Sequence, residues 1–181
     1  MKNFFLFYSF CIIMIVSLAV SMTTADTVQD LLNKGKILGT EERYDDSIEV
    51  FDQVLVIDPK NSSAYTYKAI ALNLLGNYDE AIKNANLALY FDSQNANAWE
   101  AKSVSYSKLS KYEDCIDACN NALKINPKSI LALNNKGASL DMLGEDFEAI
   151  QCFNQVLLID PTNELAQKNM KIAKSNLRKQ K

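Results

Sequence analysis

The sequence contains no histidine. That removes the commonest general base at neutral pH and the commonest metal ligand. Glycine and proline are scarce, at 5 and 3 residues in 181, which excludes collagen-like and low-complexity organisation. No glycine-rich phosphate loop, nucleophile motif or paired-carboxylate constellation is present. The pattern is that of a non-enzyme with no cofactor or metal site. Basic residues are few where most of the chain lies: residues 26–167 carry all 22 acidic side chains and only 12 of the 19 basic ones. An acidic body disfavours phosphate, so nucleic acid is not the expected partner. Six of the remaining cations fall at the C-terminus: Lys168, Lys171, Lys174, Arg178, Lys179 and Lys181. What is present is an ordinary globular composition, 48% hydrophobic and 23% charged, in a length suited to about one domain.

The first 25 residues stand apart. Lys2 precedes an uncharged run of 19 residues from Phe4 to Met22, and Thr23-Thr24-Ala25 supplies small residues before Asp26. This has the outline of a secretory signal peptide cut at Ala25. The run is also close to the ~20 residues that span a bilayer, so a retained signal-anchor is the other reading. Either places Lys2 inside and everything from Asp26 onward outside the cytoplasm: secreted, at the cell surface or membrane-anchored. Membrane contact is then confined to residues 1–25. Cys11, within the run, reads as one more apolar residue.

From Val28 onward the chain repeats every 34 residues without gaps: 28–61, 62–95, 96–129 and 130–163. Pro59, Pro127 and Pro161 hold one equivalent place, and Ser93 takes it in the second unit. Each unit reads as two amphipathic helices. In the third unit they run from about Ala98 to Leu109 and from Tyr112 to Ile125, broken by Ser110-Lys111 and stopped by Pro127. Three places are always small or compact: Gly35, Ala69, Ser103 and Gly137; Ser47, Ala81, Cys115 and Ala149; Val54, Ala88, Ala122 and Val156. Antiparallel helices cross closely only where bulk is missing. Leu31, Tyr65, Trp99 and Leu133, with Tyr44, Tyr78 and Tyr112, fill the gaps between crossings. Unit four has Asp146 where the others have Tyr, with Phe147 one place later, so its second helix is expected to start rotated. Lys34, Lys68, Lys102 and Lys136 recur at one place, each stem packing while its ammonium reaches water.

Trp99, Tyr106, Ala122 and Pro127 in unit three match the signature of the tetratricopeptide repeat family, which this chain resembles. Gly76 to Ala81 carry the match in unit two. Gly35, Tyr44, Phe51 and Pro59 carry it in unit one, and Gly137, Gly144, Ala149, Phe153 and Pro161 in unit four. The resemblance implies an all-α fold, a right-handed superhelical solenoid of helix-turn-helix units. Residues 164–181 are the expected capping helix, with a stripe of Ala166, Met170, Ala173 and Leu177 turned to unit four. Its basic side is either solvated or a contact for an acidic partner or lipid surface.

The resemblance also implies a concave face, lined by the first helices, that accepts a peptide segment or helix. Carried over, that face comprises Leu32, Lys36, Ser63, Thr66, Ile70, Asn73, Asn97, Glu100, Val104, Ser107, Leu131, Asn134, Ala138 and Asp141. It is small, amide-rich and lightly apolar. Asn73 and Asn134 are candidates to bond a peptide backbone. Some family members hold a C-terminal carboxylate with Lys, Asn and Arg; here Lys36 stands without an arginine, so chaperone-tail recognition is not expected. The expected function is a protein-binding scaffold. The alternative is a structural or self-associating surface protein acting through its array ends.

Cys115, Cys119 and Cys152 read as buried thiols, with a bridge from Cys152 to either of the others, or a metal or redox role, as the alternatives. Asn61-Ser62-Ser63 is a glycosylation candidate at Asn61. Asp45-Asp46, Asp79-Glu80 and Glu113-Asp114 recur in the first turn of each second helix, where the helix dipole favours acids.

Overall fold

The computed structural model describes residues 24–179, which hold nine helices and no strand. Helix α1 occupies 24–40. It is followed by α2 (Tyr44–Ile57), α3 (Ser62–Leu74), α4 (Tyr78–Phe91), α5 (Ala96–Lys108), α6 (Tyr112–Ile125), α7 (Ile130–Met142), α8 (Asp146–Ile159) and α9 (Glu164–Lys179). Each packs on its neighbour in sequence, and α3, α5, α7 and α9 also meet in a row. This is an all-α helical repeat array. The leader or anchor and Cys11 lie outside the described residues, except that Thr24 and Ala25 already form part of α1. No helix among the described residues is long and apolar enough to cross a membrane.

Every second helix has 14 residues and starts at the same repeat place, Tyr44, Tyr78, Tyr112 or Asp146. The rotation expected in unit four does not occur. Asp146 is 2% exposed in the position of the tyrosines, and Phe147 is 58% exposed. Register is held further along, by Ala149, Phe153 and Val156, all fully buried. Three apolar anchors outweigh one misplaced aromatic at the helix start.

The crossings explain the small residues. A Cβ built on Gly35 would lie 2.5 Å from the Phe51 ring, and one on Gly137 would lie 2.7 Å from the Phe153 ring. Both rings are essentially buried. Units two and three solve the same crossing with smaller pairs, Ala69 over Ala85 and Ser103 over Cys119, all fully buried. Cys115, Cys119 and Cys152 are buried free thiols rather than a disulfide. A hydrogen bond between Cys115 and Cys119 lowers the first thiol's pKa and raises the second's. Burial raises that of Cys152.

The turns are also uniform. Between units, Asp58, Asp92, Asn126 and Asp160 each accept a backbone N–H two residues on. Asn61, Asn95, Ser129 and Asn163 then accept the N–H of Ala64, Ala98, Ala132 and Ala166, capping the next helix. The turn closes on Ser93 as it does on proline, so the Asx and the N-cap residue carry the geometry. Within units the chain reverses at a left-handed residue: Glu42, Gly76, Ser110 or Gly144, with φ from 58° to 82°. Glycine takes this conformation freely; Glu42 and Ser110 hold it under strain.

Helix α9 lies where the first helix of a further unit would lie. Ala166 and Ala173 are fully buried in the core that holds Leu133, Phe153 and Val156, with Met170 beside them. The lysine row behaves in part as expected. Lys68 pairs with Asp52. Lys102 sits 5.0 and 5.6 Å from the Trp99 and Tyr106 ring centres, and its burial lowers its pKa.

Gly137→Val would drive two methyls into the Phe153 ring. Overpacking of this kind costs about 1–3 kcal/mol. The urea midpoint is expected to fall accordingly; an unchanged midpoint would show that α7 and α8 separate without penalty.

Candidate partner-binding groove

The first helices α1, α3, α5 and α7 line one face, and α9 extends it. Helical spacing divides their residues. Ala64, Ala98, Ala132 and Ala166 face the preceding unit and are fully buried. Residues one place before and six places after these alanines are turned toward the groove.

Several groove candidates are committed to holding units together. Asn73 donates to the Ala101 carbonyl at 2.8 Å and accepts from the Ser105 hydroxyl at 2.6 Å. Both halves of its amide therefore bolt α3 to α5. Thr66 is 2% exposed; it donates to the Ser62 carbonyl and accepts from Asn95. Glu100 accepts from Ser129 at 2.6 Å. Asn134 is 6% exposed, and its Oδ1 is closed off from solvent without a protein partner. Leu32 is core. Asn61 is a helix cap whose amide also donates to Asp58, which gives the sequon asparagine a structural role.

Lys36, Ile70, Val104, Ser107 and Ala138 are half-exposed, and Asn97, Ser63 and Leu131 are exposed. The first two converge with other residues on a cavity of about 360 Å³ between α1, α2 and α3. Its walls are Gly35, Gly39, Tyr44, Phe51, Tyr67, Ile70 and Leu74, with Lys36 at the edge. Gly39 keeps it open: a Cβ there would meet nothing closer than the Ser47 hydroxyl at 3.7 Å. The equivalent places hold Asn73, Ser107 and Asp141. The Lys36 ammonium lies 5.3 Å from the Tyr67 ring centre. This end of the groove is an apolar hole with one cation at its lip.

Sequence reasoning missed Gly39, Leu74 and Met142. Leu74 and Met142 are 58% and 61% exposed at equivalent places. Leu165 and Ile172, 55% and 43% exposed, continue the apolar groove character onto α9. The signal available was positional: each lies one turn along the helix from a place already assigned to the groove.

At the far end Asp141 accepts from Asn176 of α9 at 3.2 Å. Burial, then a hydrogen bond with Asp146, raises the Asp141 pKa, while Asn176 opposes the shift. Among the described residues no cluster of three His, Cys, Asp or Glu side chains is placed to hold a metal.

Comparisons with known proteins agree on the repeat. One tetratricopeptide repeat profile matches residues 50–83, and another matches 31–61 and 96–129. No curated protein matches by sequence. Among solved structures, the crystal structure of MamA protein superposes with a TM-score of 0.72 at 21% identity, over 84% of this chain and 83% of that one. TTC0263, a thermophilic tetratricopeptide repeat protein of Thermus thermophilus, gives 0.73 at 21%, over 83% and 84%. The first such domain of Spaghetti (RPAP3), bound to the HSP90 peptide SRMEEVD, gives 0.64 at 24%, over 67% and 96%.

Two outcomes separate structural groove residues from binding ones. Asn73→Ala removes two inter-unit hydrogen bonds and is expected to lower stability by about 1–3 kcal/mol in urea titration. A variant of wild-type stability would return Asn73 to the groove. Asp141→Asn tests the carboxyl pair. A carboxyl whose pKa folding raises is stabilising when protonated, and that stability is lost as pH rises through the raised value. The substitution therefore raises the urea midpoint at neutral pH and has no effect in acid below the ordinary carboxylate range.

Proposed function

The chain carries tetratricopeptide repeats, and from that premise we propose that it is a non-catalytic scaffold that binds an extended peptide or helix along its concave face. The observation that carries this reading is the cavity between α1, α2 and α3. A hole of about 360 Å³ walled by Tyr44, Phe51, Tyr67, Ile70 and Leu74 suits one large apolar side chain. Burying such a side chain contributes ~1.5–3 kcal/mol. Lys36 at the lip favours an acidic residue beside that anchor. Val104, Ala138, Met142 and Ile172 offer lighter apolar contacts further along. The peptide-bound RPAP3 structure supports the mode of binding in a similar fold.

The scaffold works outside the cytoplasm in this proposal, delivered by residues 1–25 and held by them where they are retained. One feature supports retention: the apolar run of 19 residues exceeds the ~7–15 of a cleaved signal core. The rival reading, association through array ends, draws less support. The outward side of α1 presents Asp30 and Asn33 around Ile37, with Glu41 just past its end, and that of α9 presents Lys171, Lys174 and Arg178, all exposed. Such polar end faces are those of a capped array.

The test is selection of random displayed peptides on the folded chain, with Gly39→Leu as counter-target. The Cβ of the added side chain meets only the Ser47 hydroxyl, at 3.7 Å, and its outer carbons enter the cavity. Selected peptides are expected to share a large apolar residue, and to lose about tenfold or more in affinity for the variant. Peptides that bind the variant equally well would reject the cavity as the anchor.

A further inference from the structure

The two long edges of the array differ in chemistry. In each unit the first helix begins and the second ends at the same edge. Val28 and Leu31 pack with Val54 and Leu55 there, the Tyr65 ring stacks on Phe91 at 5.8 Å, and the Trp99 indole donates to the Ser93 carbonyl. Val56, Tyr90 and Leu158 lie at equivalent places in the last turn of α2, α4 and α8, and are 83%, 80% and 84% exposed. Ile57 and Ile159 beside them are 41% and 40% exposed. Val56, Tyr90 and Leu158 are left largely outside the core. The opposite edge carries the acidic first turns: Asp45-Asp46, Asp79-Glu80, Glu113-Asp114 and Asp146 with Glu148.

The chain enters α1 at the apolar edge. In sequence only Thr23 separates the uncharged run ending at Met22 from Thr24, where the helix is already formed. One residue reaches ~3.5 Å. A bilayer that keeps residues 4–22 therefore lies next to this edge and away from the acidic one.

We propose that the edge bearing Val56, Tyr90 and Leu158 rests on the lipid surface that holds the N-terminal run, an inference that relies on the anchored reading above. The residue types suit a membrane interface. Tyr65, Tyr90 and Trp99 have amphipathic rings of the kind enriched there. Lys124 takes the fourth equivalent place, and Lys60 and Lys128 lie in the adjoining turns, their stems long enough to carry ammonium groups to the headgroups. Asp58, Asp92 and Asp160 are tied into their own turns by hydrogen bonds and place carboxyl groups along the same edge. They set the depth at the headgroups rather than the acyl chains, and they favour zwitterionic over anionic lipid. The groove then stands at the side of the array, open to peptide while the edge is occupied.

Trp99 is the sole tryptophan and lies on this edge. It is two units from the tether, roughly 20 Å at ordinary helix spacings. The full chain is inserted into phosphatidylcholine vesicles whose acyl chains carry bromine near the glycerol end. The expected result is loss of Trp99 emission, reversed in the triple variant Val56→Asp, Tyr90→Asp, Leu158→Asp, whose sites are too exposed to disturb folding. A chain that stays with the vesicles through an alkaline wash yet shows no quenching overturns the edge contact and leaves the anchor standing. Equal quenching in the triple variant shows that the tether alone brings the edge close, and also overturns it. Chain isolated from the cells that make it with Asp26 as its first residue overturns the anchored reading and this inference together.

Discussion

The distance at which the two helices of a unit cross is the constraint from which the array follows. Phe51 and Phe153 reach from the second helix across the crossing, and only glycine opposite leaves room for the ring. Ala69 with Ala85, and Ser103 with Cys119, meet the same spacing with less volume on both sides. Packing at this density permits complementary pairs and excludes two large residues at once. In units one and four the bulk at the crossing comes from the second helix, and the first helix is thin there.

Polar groups then fix how one unit sits on the next. Asn95 reaches back to Ser62 and Thr66, Ser129 to Glu100, Asn73 forward to Ala101 and Ser105, and Asn135 to Ser103. Alanine-rich contacts alone tolerate sliding, since small apolar surfaces match in several registers. Buried hydrogen bonds do not, because each slip leaves a donor or acceptor unpaired. The amides and hydroxyls that give the groove its polar look are thus largely the inter-unit fasteners. What remains for a ligand is largely apolar, Ile70, Leu74, Val104, Met142 and the cavity at Gly39, with Lys36, Ser63, Asn97 and Ser107 as the accessible polar groups.

This division explains what the sequence disclosed and what it withheld. The 34-residue period, the small crossings and the stripe of α9 were legible because periodicity reports packing directly. Proline was the visible mark of the inter-unit turn, but Ser93 closes the same turn, and the Asx residues at 58, 92, 126 and 160 carry it. Asp146 misled because one residue was read locally while the register of α8 is set by Ala149, Phe153 and Val156. Asn73 was illegible for a different reason. An amide on a helix face bonds a ligand or a neighbouring helix equally well, and only the position of Ala101 and Ser105 decides between them. Leu74 and Met142 passed unnoticed because a large apolar residue in a helical pattern reads as core until its exposure is known.

A repeat makes equivalent places alike, so the departures from equivalence are where individual function collects. Gly39 stands where the other units hold polar residues, and it lies on the cavity between α1, α2 and α3. Asp146 replaces tyrosine and places a buried carboxyl beside Asp141, where α9 closes the array through Asn176. Lys124 interrupts the row of Val56, Tyr90 and Leu158. None of these is required by the crossing distance or by the inter-unit hydrogen bonds. The first leaves a cavity unfilled. The second brings two carboxyls together at a cost to stability at neutral pH. The outer row exposes apolar surface that the fold has no use for. Features that a packed array does not need, placed at its groove and along one edge, are those that a partner at each of these surfaces would make favourable. The groove is lined by the first helices and the exposed row of the edge stands on the second, so occupying one leaves the other free.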